Sequence, residues 1–292
     1  MCQVSVNAVE NTAIKGSGST VHYFQRVTLL VSLFAFVLLS AGCGQSFSET
    51  DQAKDSSVVQ LQEDVSAKQP TPVPIDTALY DQKNIQLANG DSSGLWPVKA
   101  PYPLPGAIFP FKRVVSYYGN LYSKRMGILG ELPPAEMLAK LKEEVKKWEA
   151  ADTTTKVLPA LHYIAVTAQE SPGKGGKYRL RMPFHQIDSV LKMAEKIDAI
   201  TFVDVQVGLS TLQEEIPQLE KYLLMPDVHL GIDPEFSMKG GHRPGTVIGT
   251  FNADDINYVT GYLADLVKKN NLPPKILVIH RFTQGMVTNY KQ

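Results

Sequence analysis

Two carboxylates stand one residue apart in Leu230-Gly231-Ile232-Asp233-Pro234-Glu235-Phe236-Ser237-Met238, where an apolar run ends. Residues two apart on a strand share a face. Pro234 biases Asp233 toward extended geometry, so the alternation predicts Asp233 and Glu235 aimed the same way. Proline also removes a ladder donor and ends the sheet there. An acidic turn is the plainer alternative. Asp204 and Gln206 repeat the two-residue spacing in Val203-Asp204-Val205-Gln206. Glycoside cleavage needs two carboxyl groups, one protonated and one ionised, and clustered carboxylates raise one another's pKa. Asp204, Asp233 and Glu235 are therefore the catalytic candidates, and Glu235 lies furthest out along its strand. Tyr118 and Gln206 can bond sugar hydroxyls. His162, His280 and Arg281 complete the candidate substrate-binding set.

A metal reading would use His162, Asp204, Asp233 and His280, since imidazole and carboxylate are ordinary ligands. No His-x-His or His-Glu-x-x-His spacing supports it. Each histidine alone is more often a core residue bonded to a neighbour, so neither metal nor cofactor is expected.

The elements that must position these residues alternate. Arg113–Tyr118, Val157–Val166, Ala199–Val205, Val228–Asp233 and Ile276–His280 read as strands, with a short extra one over Thr246–Phe251. Between them run helical stripes. Met137, Leu138, Leu141, Val145 and Trp148 follow Pro133-Pro134, and Phe184, Ile187, Val190, Leu191, Ala194 and Ile197 form the next. Leu212, Ile216, Leu219 and Leu223 line a third, begun by a Ser210–Gln213 capping box and split by Pro217. Asn252 caps the last, which bears Ile256, Val259, Leu263 and Val267. Alternating strands and helices mean βα units and a parallel sheet. Polar residues interrupt the apolar strands near one end, at Tyr118, His162, Asp204, Asp233 and His280. The carboxyl ends of strands are where α/β folds carry their sites. No Gly-x-Gly-x-x-Gly follows the first strand, which argues against a dinucleotide fold. A full barrel takes roughly 250 residues, and about 180 follow the lead-in. The expected fold is α/β, a (β/α) TIM-barrel-like sheet that is incomplete, with about five to six βα units in 113–292 and a truncated C-terminus.

Upstream, Arg26 precedes Val27–Leu39, thirteen residues without a charge, and Ser40-Ala41-Gly42-Cys43 follows. The run is too short to span a bilayer, and its basic flank and small-residue end read as a secretory signal over 1–42. An uncleaved anchor is the alternative. LLSAGC resembles the bacterial lipobox, which implies acylation of Cys43. Residues 43–79 are rich in Ser, Asp, Gln, Lys and Pro and read as a disordered tether. Residues 80–112, proline-rich and aromatic, read as an irregular lead-in. The two cysteines, Cys2 and Cys43, offer no disulfide framework. With 29 basic and 29 acidic residues, the chain gives no argument for nucleic acid as a partner. The loops Ser171–Lys177 and Lys239–Gly245 read as rims of the strand-end mouth.

The ordered set VVSYYG, LHYIAV, VDVQVG, LGIDPEFSM and VIHRFT resembles uncharacterised bacterial lipoproteins with a TIM-barrel, glycoside-hydrolase-like domain, over about residues 110–285. It is similar, at lower specificity, to chitinase-like and lysozyme-like barrels whose fourth strand ends in Asp-x-Glu. That resemblance implies Glu235 as general acid and Asp233 as its electrostatic partner. The chitinase pattern carries more acidic residues upstream on that strand; here those positions hold Leu230 and Gly231, and the substrate-assisted chitinase mechanism does not carry over. The implied protein is a lipoprotein held by a lipid at Cys43 on the extracytoplasmic face of a bacterial membrane. It would act on envelope or extracellular polysaccharide, or bind carbohydrate or cell wall without catalysis.

Cys43→Ala is expected to abolish fatty-acid attachment and leave the precursor unprocessed. Labelled palmitate followed on gels is the measurement, and label persisting on the variant refutes lipidation.

Overall fold

The computed structural model describes residues 3–5, 74–96 and 100–290. The predicted signal peptide over 1–42, Cys43 and most of the predicted tether lie outside these residues, apart from Gln3–Ser5, a three-residue strand that pairs in parallel with the last strand of the sheet.

Five parallel strands make the central sheet: β1 (Lys112–Gly119), β2 (Lys156–Ala168), β3 (Ile200–Val205), β4 (Val228–Ile232) and β5 (Ile276–Ile279). Each pairs with the next in sequence, so the order across the sheet is the order along the chain. A doubly wound sheet would reverse direction at a switch point; this one does not, and it curls into a half-barrel consistent with an incomplete barrel.

The two faces of the sheet pack differently, as alternating side chains require. The outer face carries the helices. After the short helical turn Ile128–Glu131, α2 (Pro134–Ala151) buries Met137, Leu138 and Leu141. Its successor α3 (Phe184–Glu195) buries Ile187, Val190 and Met193, and α4 (Ala253–Asn270) buries Val259, Leu263, Leu266 and Val267. These meet Leu161, Tyr163, Val203, Leu230 and Leu277 in one large core. The inner face holds a smaller cluster of Ala160, Ile200, Phe202 and Ile276, covered by Ile108 and Phe109 of the lead-in. The helices' apolar stripes all serve the outer core, which leaves the inner strand ends free for polar groups.

The helix starts follow local chemistry. Pro134 sits in the first turn of α2, where its missing N–H is harmless. Asn252 and Asp255 form a reciprocal capping box on α4, and Asn271 closes it in the left-handed region. Pro217 divides the third helical stripe into Leu212–Glu215, a 3-10 turn Ile216–Leu219, and Glu220–Leu223.

Four local expectations are corrected. The lead-in is not irregular throughout, because Asp76 caps a helix, α1 (Thr77–Ala88), by accepting from the Leu79 N–H. Ser210 does not cap the split helix: Thr211 does, accepting from the Glu214 N–H, while the Ser210 hydroxyl donates to Glu215. The extra strand shrinks to Phe251–Asn252, paired with Val287–Thr288. Finally, β4 ends at Ile232. Among the described residues no helix is long and apolar enough to cross a membrane.

Leu141 is fully buried between α2 and the sheet. Leu141→Ala is expected to lower unfolding free energy by about 2–5 kcal/mol, read from the urea midpoint of the purified chain.

Candidate functional site

The inward-facing positions are tied together by register. Tyr118 pairs with His162, His162 with Phe202, and Phe202 with His229. One step nearer the carboxyl ends, Ile164 pairs with Asp204, Asp204 with Gly231, and Gly231 with Val278. Gln206, Asp233 and His280 follow just past the last paired residues. Sequence-distant polar side chains thus meet on the concave face because parallel strands of matched register bring their ends level.

Asp204 is the centre, with 0% of its surface exposed. Its Oδ1 faces Nε2 of His280 at 3.1 Å and Nε2 of His162 at 3.2 Å, and its Oδ2 accepts from the Tyr118 hydroxyl at 3.2 Å. The two imidazole Nε2 atoms lie 3.3 Å apart. Aromatic packing holds the rings: His162 stacks on Phe202 with centroids 4.9 Å apart, and Tyr118 packs edge-on against His162. Gly231 makes the approach feasible. A Cβ there would come within 2.2 Å of Asp204 Oδ1 and 2.4 Å of His162 Nε2, so any larger residue would drive the cluster apart.

Gln206 links this centre to Asp233. Its amide donates to the Tyr118 hydroxyl at 3.3 Å and to Asp233 Oδ2 at 3.4 Å, while its carbonyl accepts from the Ala168 N–H at 3.0 Å. Asp233 is 5% exposed. The cluster reaches solvent at Tyr118, which is half-buried, and at His280, whose side chain is 31% exposed.

Titration behaviour follows from these contacts. Burial disfavours charge on Asp204, but the positive His280, the hydrogen bonds from His162 and His280, and the field of His162 override it and hold the carboxyl well below the usual range. Burial pushes His162 down. His280 is pushed up to about 9: burial opposes this, and the Asp204 charge beside it prevails. Burial, then the negative charges of Asp204 and Glu235, push Asp233 up to about 7 against the opposing effect of His280. Burial, followed by the Asp204 and Asp233 charges, raises Tyr118, which stays a neutral donor. One carboxyl is ionised and its neighbour titrates near neutrality.

Of the predicted site residues, the structure brings Asp204, Asp233, Tyr118, His162, Gln206 and His280 together. Glu235 departs from the predicted geometry. Pro234–Phe236 is a 3-10 turn capped by Asp233, whose Oδ1 accepts from the Glu235 N–H at 3.1 Å. The two-residue alternation therefore stops at Asp233, because proline opens a turn as readily as it ends a strand. Arg281 is engaged by its own loop, donating to the Thr283 and Gln284 carbonyls and lying over the Tyr290 ring. At the rim, Arg243 pairs with Glu170 at 3.5 Å, joining the loops after β2 and β4. Gly231 escaped the sequence reading as a site position. An isolated glycine in an apolar strand is the signal that marks close approach.

Among the described residues, the ligating atoms of His162, Asp204 and His280 lie within 4.8 Å of one another. Comparison with protein-family models, with curated proteins and with solved structures finds no match. The chemistry of the cluster is what remains to read.

A carboxyl raised in the folded state favours folding fully below its unfolded pKa, about 3.9, and that contribution is lost as pH rises through the folded value of about 7. Between roughly pH 4 and 7, Asp233 should lower stability as pH rises, by at most about 1.4 kcal/mol per pH unit. Asp233→Asn is expected to flatten that decline, measured as urea unfolding free energy at a series of pH values; identical pH slopes in parent and variant would contradict the assignment.

Proposed function

We propose that the chain is a surface lipoprotein whose half-barrel carries a glycoside-hydrolase-like site for envelope or extracellular polysaccharide. Asp233 is its proton donor and Asp204 its ionised carboxylate. The observation that carries the reading is the pair itself: two carboxyl groups at adjacent strand ends, joined through Gln206 and Tyr118, with opposite protonation tendencies. Pairs pushed apart in this way assign acid and anion. Asp233 replaces Glu235 as the acid, because Glu235 sits in the turn beyond the strand, whereas Asp233 is buried beside the Asp204 charge, and both effects favour its protonated form. Tyr118 and Gln206 add neutral donors beside the acid, suited to sugar hydroxyls. The lipobox-like LLSAGC before the folded part supports placement at a membrane surface, facing outward.

The test is a glycan screen with the parent, Asp233→Asn and Glu235→Gln. Losing a general acid lowers rate by about 10²–10⁴. Hydrolysis should fall by that order in Asp233→Asn and persist in Glu235→Gln. The reverse ranking returns the acid role to Glu235. Binding of a glycan without turnover by the parent replaces the enzyme reading with that of a carbohydrate-binding protein.

A further inference from the structure

Three potential ligand atoms, two on neighbouring strands and one just past the end of a third, form a nearly equilateral triangle. Its edges are 3.1 Å (His280 Nε2 to Asp204 Oδ1), 3.2 Å (His162 Nε2 to Asp204 Oδ1) and 3.3 Å (His162 Nε2 to His280 Nε2). A tetrahedral zinc ion with bonds of about 2.0–2.1 Å holds neighbouring ligand atoms about 3.3 Å apart. The triangle is thus close to one face of that coordination shell. We propose that His162 Nε2, His280 Nε2 and Asp204 Oδ1 form a three-ligand site for a divalent transition-metal cation, with zinc the best match.

Four further observations point the same way. Without a cation, two imidazole Nε2 atoms crowd the single oxygen Oδ1, which only accepts, so either both rings point an N–H at it or one ring donates to the bare Nε2 of the other. In the first arrangement two N–H dipoles lie side by side at 3.3 Å, and in the second a bare ring nitrogen faces the carboxylate oxygen. A cation replaces those protons and turns three converging atoms into three bonds. The carboxylate is also braced from behind, because Tyr118 donates to Oδ2, the oxygen the cation does not use; such outer hydrogen bonds orient metal ligands. Gly231 keeps the inner side of the triangle clear, as a Cβ there would strike two of the three ligand atoms. Lastly, the partly exposed His280 leaves the cluster open to solvent on one side. Three protein ligands with an open fourth position are the arrangement of reactive zinc rather than of closed structural zinc. Two imidazoles disfavour magnesium and calcium, which prefer all-oxygen shells. When bound, zinc supplies a water whose pKa falls to about 7. The site shares Asp204 with the proposed acid–anion pair but does not rest on the polysaccharide reading, because cation binding is measured without substrate.

The experiment uses the full chain, free of added histidines and stripped with chelator. It is titrated with zinc chloride in a calorimeter, and bound metal is counted by elemental analysis. One zinc per chain is expected. His280→Ala, altering a partly exposed ligand, should abolish binding with the circular dichroism spectrum retained. Tyr118→Phe, which removes only the bracing hydroxyl, should weaken it about 10–100-fold. Cobalt in place of zinc should give the intense visible absorption of a four-coordinate ion. No zinc on the parent, or unchanged affinity in both variants, overturns the site. A weak six-coordinate cobalt spectrum overturns its geometry. None of these results alters the glycan screen, so the two proposals fail separately.

Discussion

The polar half of this structure depends on one buried anion. Asp204 has no surface of its own in contact with water, and desolvating a carboxylate costs several kcal/mol even after relaxation. That cost is met only where donors converge, and here three do: Tyr118, His162 and His280. Each comes from a different strand or, for His280, from just past its end. The register of the sheet, the curl that brings β1 and β5 toward one another, and the missing side chain at Gly231 are all conditions for that convergence. A buried anion of this kind is poor evidence for a stability role, since well-packed apolar residues serve stability as well or better. Its presence at the carboxyl ends of parallel strands points to chemistry.

The curl also explains why the site can be polar at all. Every long helix of the barrel-like region packs on the outer face, so the large apolar core lies outside the sheet. The inner face has only the lead-in residues Ile108 and Phe109 over its lower part. At the bottom of β4, His229 accepts from the Ile276 N–H at 3.0 Å, and burial holds it down near pKa 3, a neutral structural group. In the same layer two strands away, His162 lies against Asp204 and becomes part of the cluster. The same residue type in the same layer of the concave face is structural or chemical according to the group beside it, a backbone N–H for His229 and a carboxylate for His162.

A second buried carboxylate shows the contrast. Glu215 is fully buried and accepts from Arg179 at 2.7 Å, Arg181 at 2.6 Å and Ser210 at 2.5 Å. Two of its partners are permanent cations on Arg179–Arg181, a short strand paired antiparallel with β2, so it pins that hairpin to the split helix. Asp204 is surrounded instead by groups that titrate or stay neutral, and its neighbour Asp233 is left short of a cation. One network is saturated and the other has protons to exchange, which separates a fastening from a candidate site.

Much of the fold could be read from the chain alone, because it is encoded locally. Short apolar runs, period-3.6 stripes, Pro134, Pro217 and Asn252 marked the strands and helices and several of their ends, and the polar residues interrupting those runs near one end picked out Tyr118, His162, Asp204, Asp233 and His280. What the chain alone did not decide was direction and distance. Whether Pro234 continues a strand or opens a turn depends on what the next residues pack against, so the extended geometry expected at Glu235 gave way to a 3-10 turn. Arg281 was read into the site because nothing local shows a side chain folding back on its own loop. The His162–Asp204–His280 triangle carries no sequence spacing, since its members lie on or just past separate strands and only strand register sets their separation. Sequence determined which residues could do chemistry and which elements would carry them. Tertiary structure decided which of them meet, because the atoms that must come within about 3 Å are held there by contacts between segments far apart in the chain.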